Sequence, residues 1–183
     1  MTPAVCDLPA ATVDGRARAA ALAGAEPGAG GTAKVAYESR GRVLVIGPGG
    51  PVARVLAALD EGLTGVGVVP PDGEVAADAP VLAGELTELT GYLGAFAARV
   101  ATGAGAVDPA GRLGSGGDGF DLVVDLGDPP WMEAEVPPPG YYAPGDDPAA
   151  LGRVLAELPE MVGTFEKPRY FAYDPGICAH GQR

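Results

Sequence analysis

Histidine, tryptophan and cysteine are all but missing from this 183-residue chain: His180 and Trp131 stand alone, and the only cysteines are Cys6 and Cys178. The lone His180 has no partner set around it for a His-based triad, and two cysteines so far apart form neither a CxxC redox pair nor a closed zinc site. Unpaired thiols fit a reducing compartment, so a cytoplasmic location is expected. Basic residues are scarce as well, 12 against 24 acidic, for a net charge of −12. That balance argues against a nucleic-acid partner, whose phosphates must be neutralised, and against an anionic lipid surface. No apolar run approaches the roughly 20 residues that span a bilayer. The N-terminus carries no basic region followed by an apolar core, so neither a membrane partner nor export is expected. An acidic surface suits docking to a basic protein face, and plain solubility explains it equally.

What the chain has in quantity is glycine and proline, 30 and 19 residues, which implies many turns and at least one flexible arm. Residues 1–33, rich in Ala, Gly and Pro, read as a disordered leader with room for a short helix near Asp14 to Leu22. Order is expected from Lys34. Val43-Leu-Val-Ile46 is a continuous apolar run closed by Gly47-Pro-Gly-Gly50, the pattern of a strand buried on both faces. Val52, Val55, Leu56 and Leu59 follow at helical spacing, with Pro51 at the expected first helical position. Gly65-Val-Gly-Val-Val69 is a second apolar run, so the three pieces form a right-handed βαβ unit with parallel strands.

From Val81 to Val100 shorter pieces predict an antiparallel hairpin or meander, Leu86–Thr90 against Leu93–Val100, and residues 102–119 read as a glycine-rich loop. Phe120 to Leu126 is a strand that can rejoin the parallel sheet. Pro137 to Gly145 has no period and reads as an extended crossing segment. Asp147-Pro148 is a helix start, and Leu151, Val154, Leu155 and Leu158 give its apolar stripe, closed by Pro159. Tyr170-Phe-Ala-Tyr173 reads as a short strand leading to Cys178. The fold class is therefore α/β: a small Rossmann-like domain over 34–136 with an inserted hairpin, a linker and amphipathic helix over 137–165, and a terminal segment over 166–183.

Two places invite chemistry. Gly47, Gly49 and Gly50 follow the first strand, where bare backbone and a helix N-terminus approach the pyrophosphate of NAD(P) or FAD. The third glycine of that pattern is replaced by Val52, Pro51 removes an amide, and the second strand ends in Pro70 with no acidic ribose partner, so a structural tight turn competes with the dinucleotide reading. Asp121, Asp125 and Asp128 suggest a metal or acid–base carboxylate site, against which stands the ordinary reading of solvated charges at a strand edge. Trp131, Tyr141 and Tyr142, set among prolines, are either a recognition surface or packing pins.

Phe165-Glu-Lys-Pro-Arg-Tyr-Phe171 and Tyr173-Asp-Pro-Gly-Ile-Cys178-Ala-His180 resemble bacterial two-cluster [4Fe-4S] ferredoxin-type proteins with an extra N-terminal domain. Pro137-Pro-Pro-Gly-Tyr-Tyr-Ala-Pro-Gly-Asp-Asp147 and Leu158-Pro159-Glu160 look like the same family's linker. Glu88-Leu-Thr-Gly-Tyr-Leu-Gly94-Ala-Phe96 is similar, over a shorter stretch, to a Gly-Tyr-x-Gly-x-Phe hairpin of the flavin-bearing subunits of heterodisulfide reductases. The resemblance implies that Cys178 is the first thiolate of a [4Fe-4S] cluster whose other ligands lie in a later cysteine run, and that His180 is a loop residue near it. A cluster takes four ligands as a rule, so these 183 residues are not expected to hold one alone. The implied protein is an electron carrier or redox subunit rather than an autonomous enzyme. Its partner would be a reductase or dehydrogenase, with the N-terminal domain serving docking or assembly. A dinucleotide- or flavin-binding oxidoreductase domain and a non-catalytic interaction module are the alternatives.

Overall fold

The structure, a computed structural model, describes residues 13–24, 34–73, 80–113 and 119–168. Cys6, the Tyr170–Tyr173 strand, Cys178 and His180 lie outside the described residues. The chain divides into two compact units, Met1–Lys34 with Pro168–Arg183, and Val35–Lys167. In the first, α1 (Val13–Gly24) falls where a short helix was expected.

The second unit is mixed α/β. Its five-stranded sheet contains β2 (Arg42–Ile46), β3 (Thr64–Val69), β4 (Val81–Ala83), β8 (Leu122–Asp125) and β9 (Tyr141–Tyr142) in the order β4-β3-β2-β8-β9. Every pairing in it is parallel. A three-stranded antiparallel sheet is formed by β5 (Glu85–Thr90), β6 (Ala97–Thr102) and β7 (Gly105–Val107), and β1 (Lys34–Ser39) pairs with β10 (Gly163–Pro168). No helix among the described residues is long and apolar enough to cross a membrane.

The continuous apolar run of β2 is explained by cover on both of its faces. Leu44 and Ile46 join Leu86, Leu89, Phe96 and Val100 in one cluster under the antiparallel sheet. Val43 and Val45 join Val52, Val55 and Leu158 in a second cluster under the helices. Three layers result, antiparallel sheet, parallel sheet and helices, each apolar face buried on the next.

The helix after β2, α2 (Gly49–Ala57), begins earlier than the sequence predicts. Pro48 is its N-cap, so Gly49 and Gly50 are helical and Pro51 is the third helical residue rather than the first. The shift costs no hydrogen bond, because the first amides of a helix have no intrahelical acceptor and the ladder opens with Val52 N–H on Pro48 O at 3.0 Å. Its close approach to the sheet comes from the strand. A Cβ on Gly67 would lie 2.5 Å from Val52 Cγ1, and one on Gly65 2.6 Å from both Leu56 Cδ2 and Leu59 Cδ1. Gly65 and Gly67 stand opposite Val43 and Val45 in register, so the glycines form a groove that receives the apolar stripe of α2.

Three expectations are corrected. Val81–Ala83 belongs to the parallel sheet rather than to the hairpin. The stretch 102–119 holds β7 and a 3₁₀ turn at Pro109–Leu113, since Thr102 and Gly105 close a tight antiparallel turn. Pro137–Gly145 does not merely cross the domain, because Tyr141 and Tyr142 pair with Val123 and Val124 as the edge strand β9. The helix start at Asp147 stands as expected: α3 (Pro148–Glu157) follows it, and Asp147 Oδ1 accepts the Ala149 amide at 2.8 Å.

Gly67→Ala should destabilise the chain by about 1–3 kcal/mol through overpacking. In a Val52→Ala background that cost should shrink by at least half, as measured by urea denaturation in a double-mutant cycle.

Candidate functional site

The sheet order reverses direction at β2, with β3 and β4 on one side and β8 and β9 on the other. At a reversal of this kind the loops leaving the strands' carboxyl ends diverge and open a crevice. Here a cleft of ≈ 380 Å³ lies beyond the ends of β2 and β8, between the first turns of α2 and α3. Its walls include Pro48, Pro51, Leu126 and Leu151, with Arg54 and Asp146 among its polar residues. A smaller cleft of ≈ 260 Å³ lies on the other side of the Gly47–Pro48 turn, walled by Gly47, Val69, Pro70, Glu85 and Trp131.

Gly47 is required by packing. Its φ is +143°, and a Cβ there would lie 2.8 Å from Leu126 Cβ. Its amide donates to Val68 O at 3.1 Å. Pro48 and Pro51 have no N–H, so Gly49 and Gly50 supply the remaining amides of the turn. A Cβ on Gly50 would meet nothing within 4 Å, so that residue faces open space. The structure thus separates the three predicted glycines into one that closes the strand and two that open the helix.

The aspartates are not a solvated edge. Asp121, just before the inner strand β8, and Asp125, its last residue, are 0% and 1% exposed. Asp121 Oδ1 accepts from Arg42 Nη2 at 2.8 Å; Oδ2 accepts from Arg42 Nε at 3.0 Å and from the Arg42 and Arg40 amides at 2.9 and 3.0 Å. Burial alone would raise its pKa, but the Arg42 side chain, the two amides and the Arg42 charge together hold it below the usual carboxylate value. Asp125 Oδ1 accepts the Gly127 amide at 2.8 Å, and Oδ2 accepts the Trp131 amide at 2.6 Å and the Tyr141 hydroxyl. Tyr141 Oη in turn accepts the Met132 amide at 3.0 Å. Burial and this carboxylate push the Tyr141 hydroxyl pKa well up, so it stays protonated and donates.

Each oxygen of both carboxylates therefore accepts at least one hydrogen bond from the fold. Their role is positional: Asp121 clamps the turn between β1 and β2, and Asp125 clamps the loop that follows β8. Asp128, joined to Pro129 by a cis peptide, lies in that loop apart from both. Tyr141 is a packing pin as well as a hydrogen-bonding one, whereas Trp131 is left 44% exposed on a tethered backbone.

The Gly91-to-Phe96 hairpin is likewise accounted for by folding. Gly91 and Gly94 have φ of +116° and +81°, and Cβ atoms there would lie 2.1 Å from Ala95 O and Glu38 O. Phe96 is buried and bridges Phe120.

Among the described residues no group of three or more His, Cys, Asp or Glu converges as a metal site. Residues 34–168 contain no cysteine, so they offer no thiolate to a [4Fe-4S] cluster. No protein-family model matches the chain, and comparisons with curated proteins and with solved structures give no significant match.

Asp121→Asn should cost about 3 kcal/mol, since it removes the charge of the buried carboxylate that the largely buried Arg42 guanidinium contacts at 2.8 Å. Because the folded pKa lies below the unfolded one, the Asp121 contribution is full above about pH 3.8 and is lost as pH falls through the folded value. Acid unfolding followed by circular dichroism should therefore be shallower below that pH in Asp121→Asn than in the wild type.

Proposed function

We propose that residues 35–167 form the docking or assembly module of a [4Fe-4S] electron-transfer protein of ferredoxin type, with Cys178 as the first ligand of its first cluster. What carries this reading is the resemblance over Phe165–His180, an aromatic, proline and cysteine pattern whose first residues lie in β10. Consistent with it, the buried carboxylates of the unit are committed to holding its loops. A net charge of −12 suits association with a basic redox partner, a reductase or dehydrogenase. The cluster would supply one-electron transfer, and its ligands would come from polypeptide outside the described unit. Anaerobic reconstitution of the intact gene's product with iron and sulfide should give the EPR signature of reduced [4Fe-4S] centres. Cys178→Ser should lower its bound iron. Iron and sulfide at background level in the wild-type product would sink the proposal.

A second reading is favoured by the sheet itself. Numbered along the chain, the parallel strands run 3-2-1-4-5 across the sheet, the Rossmann-like order, and the larger cleft lies at the reversal. The missing third glycine weighs less than it does in sequence, because Gly65 and Gly67 provide the close helix–strand packing that it normally permits. On this reading the module binds NAD(P) or FAD, with Gly49 and Gly50 amides toward the phosphates. Calorimetric titration of the 183-residue chain with NAD(H), NADP(H) and FAD should then give a saturable heat with at least one of them, and none up to millimolar concentration removes this reading.

A further inference from the structure

We infer that the smaller cleft is a ring-binding subsite in which Trp131 stacks on a neutral planar heteroaromatic group of the adenine type; this rests on the nucleotide reading of the carboxyl edge. The loop that carries Trp131 is fixed on both sides of the indole. Asp125 holds its amide at 2.6 Å, and Tyr141 Oη holds the next amide, that of Met132, at 3.0 Å. The backbone is therefore tethered to the sheet while the side chain remains 44% exposed and walls a cleft. A large aromatic face presented from a tethered backbone loses little freedom on binding, which is what a stacking platform requires.

The chemistry of the cleft selects the ligand. Its floor is apolar, formed by Val68, Val69, Pro70 and Leu86. The carbonyls of the strand ends are already engaged: Ile46 O by Leu126 N–H at 2.8 Å, Val68 O by Gly47 N–H at 3.1 Å, and Val69 O by Gly84 N–H at 2.9 Å. Among the described residues that line the cleft, the charged one is Glu85, whose carboxylate accepts hydrogen bonds and repels anions. A neutral ring with a donor amine fits that description, and an anionic ring does not. The volume, ≈ 260 Å³, is below the usual range of whole-ligand pockets and suits one ring system. A ligand so placed has its remainder next to the Gly47–Pro48 turn, beyond which Pro48, Pro51 and Arg54 line the larger cleft and the Arg54 guanidinium would meet a phosphate.

Trp131 is the only tryptophan, so emission under tryptophan-selective excitation, which leaves the six tyrosines dark, reads this site alone. Adenosine and NAD are each expected to change that emission saturably. Trp131→Leu should weaken NAD binding by about tenfold in calorimetry, and Trp131→Phe should retain most of it, with unchanged thermal midpoints. NAD binding that leaves Trp131 emission and the Trp131→Leu affinity unaltered overturns the subsite but not the nucleotide reading. An adenosine response without dinucleotide binding supports the subsite and removes the dinucleotide. Absence of any response to adenosine, NAD, NADP or FAD overturns both.

Discussion

The carboxylate of Asp125, buried at the end of an inner strand, is the constraint on which the carboxyl edge of the sheet depends. A charge in that position is tolerated only when donors surround it, and the chain supplies them from its own next turn and from β9. Satisfying the carboxylate draws the Gly127–Met132 loop back over the strand end. It also brings the Tyr141 hydroxyl inward, which sets β9 beside β8. The walls of the clefts follow from this single requirement: Leu126 borders the larger one and Trp131 the smaller. Asp121 does the same at the opposite end of β8, where four donor groups from Arg40 and Arg42 lock the entry to β2. The polar ends of one strand thus orient both edges of the sheet, while its apolar middle is buried on two faces.

What could be read from the sequence divides along the range of the interactions involved. The β2–α2–β3 unit and α3 were legible because their signals are local: an apolar run, a 3.6-residue stripe, an aspartate cap ahead of a proline. Asp121 was misread as part of an exposed edge because its donors lie far off in the chain, with Arg42 79 residues away, and Asp125 because its donors sit in a loop and a two-residue strand that carry no sequence period. Strand β9 has two residues and no period, so only the Asp125 hydrogen bond and its pairing with β8 reveal it. The single short strand β4 is masked in the same way, since Gly84 and the hairpin follow it directly and its partner is β3.

The glycines show how a motif can be displaced without losing its physical purpose. The dinucleotide pattern places a small residue on the helix so that it can approach the neighbouring strand. Here the helix carries Val52 and the strand carries Gly65 and Gly67, so close packing is retained with knob and hole exchanged. Counting glycines at fixed spacing misses this, because the requirement is for space between two backbones and not for a residue at a position. The Gly91–Phe96 hairpin illustrates the converse: its pattern follows from two positive-φ glycines and a buried ring, so folding alone accounts for it.

That distinction bears on which features of the edge carry information about a ligand. Gly47 would be needed with no ligand at all, since its φ and its contact with Leu126 both exclude a side chain. Val52 is equally committed to the core. The features that packing does not demand are the open first helical turn at Gly49 and Gly50, the Arg54 side chain beside the larger cleft, and the exposed indole of Trp131. Burying that indole would release apolar area at no cost in backbone order, because its loop is already held. The positions least explained by folding therefore gather at the end of the sheet, where Trp131 walls the smaller cleft, Arg54 walls the larger, and the consecutive residues Gly47 and Pro48 border one cleft each.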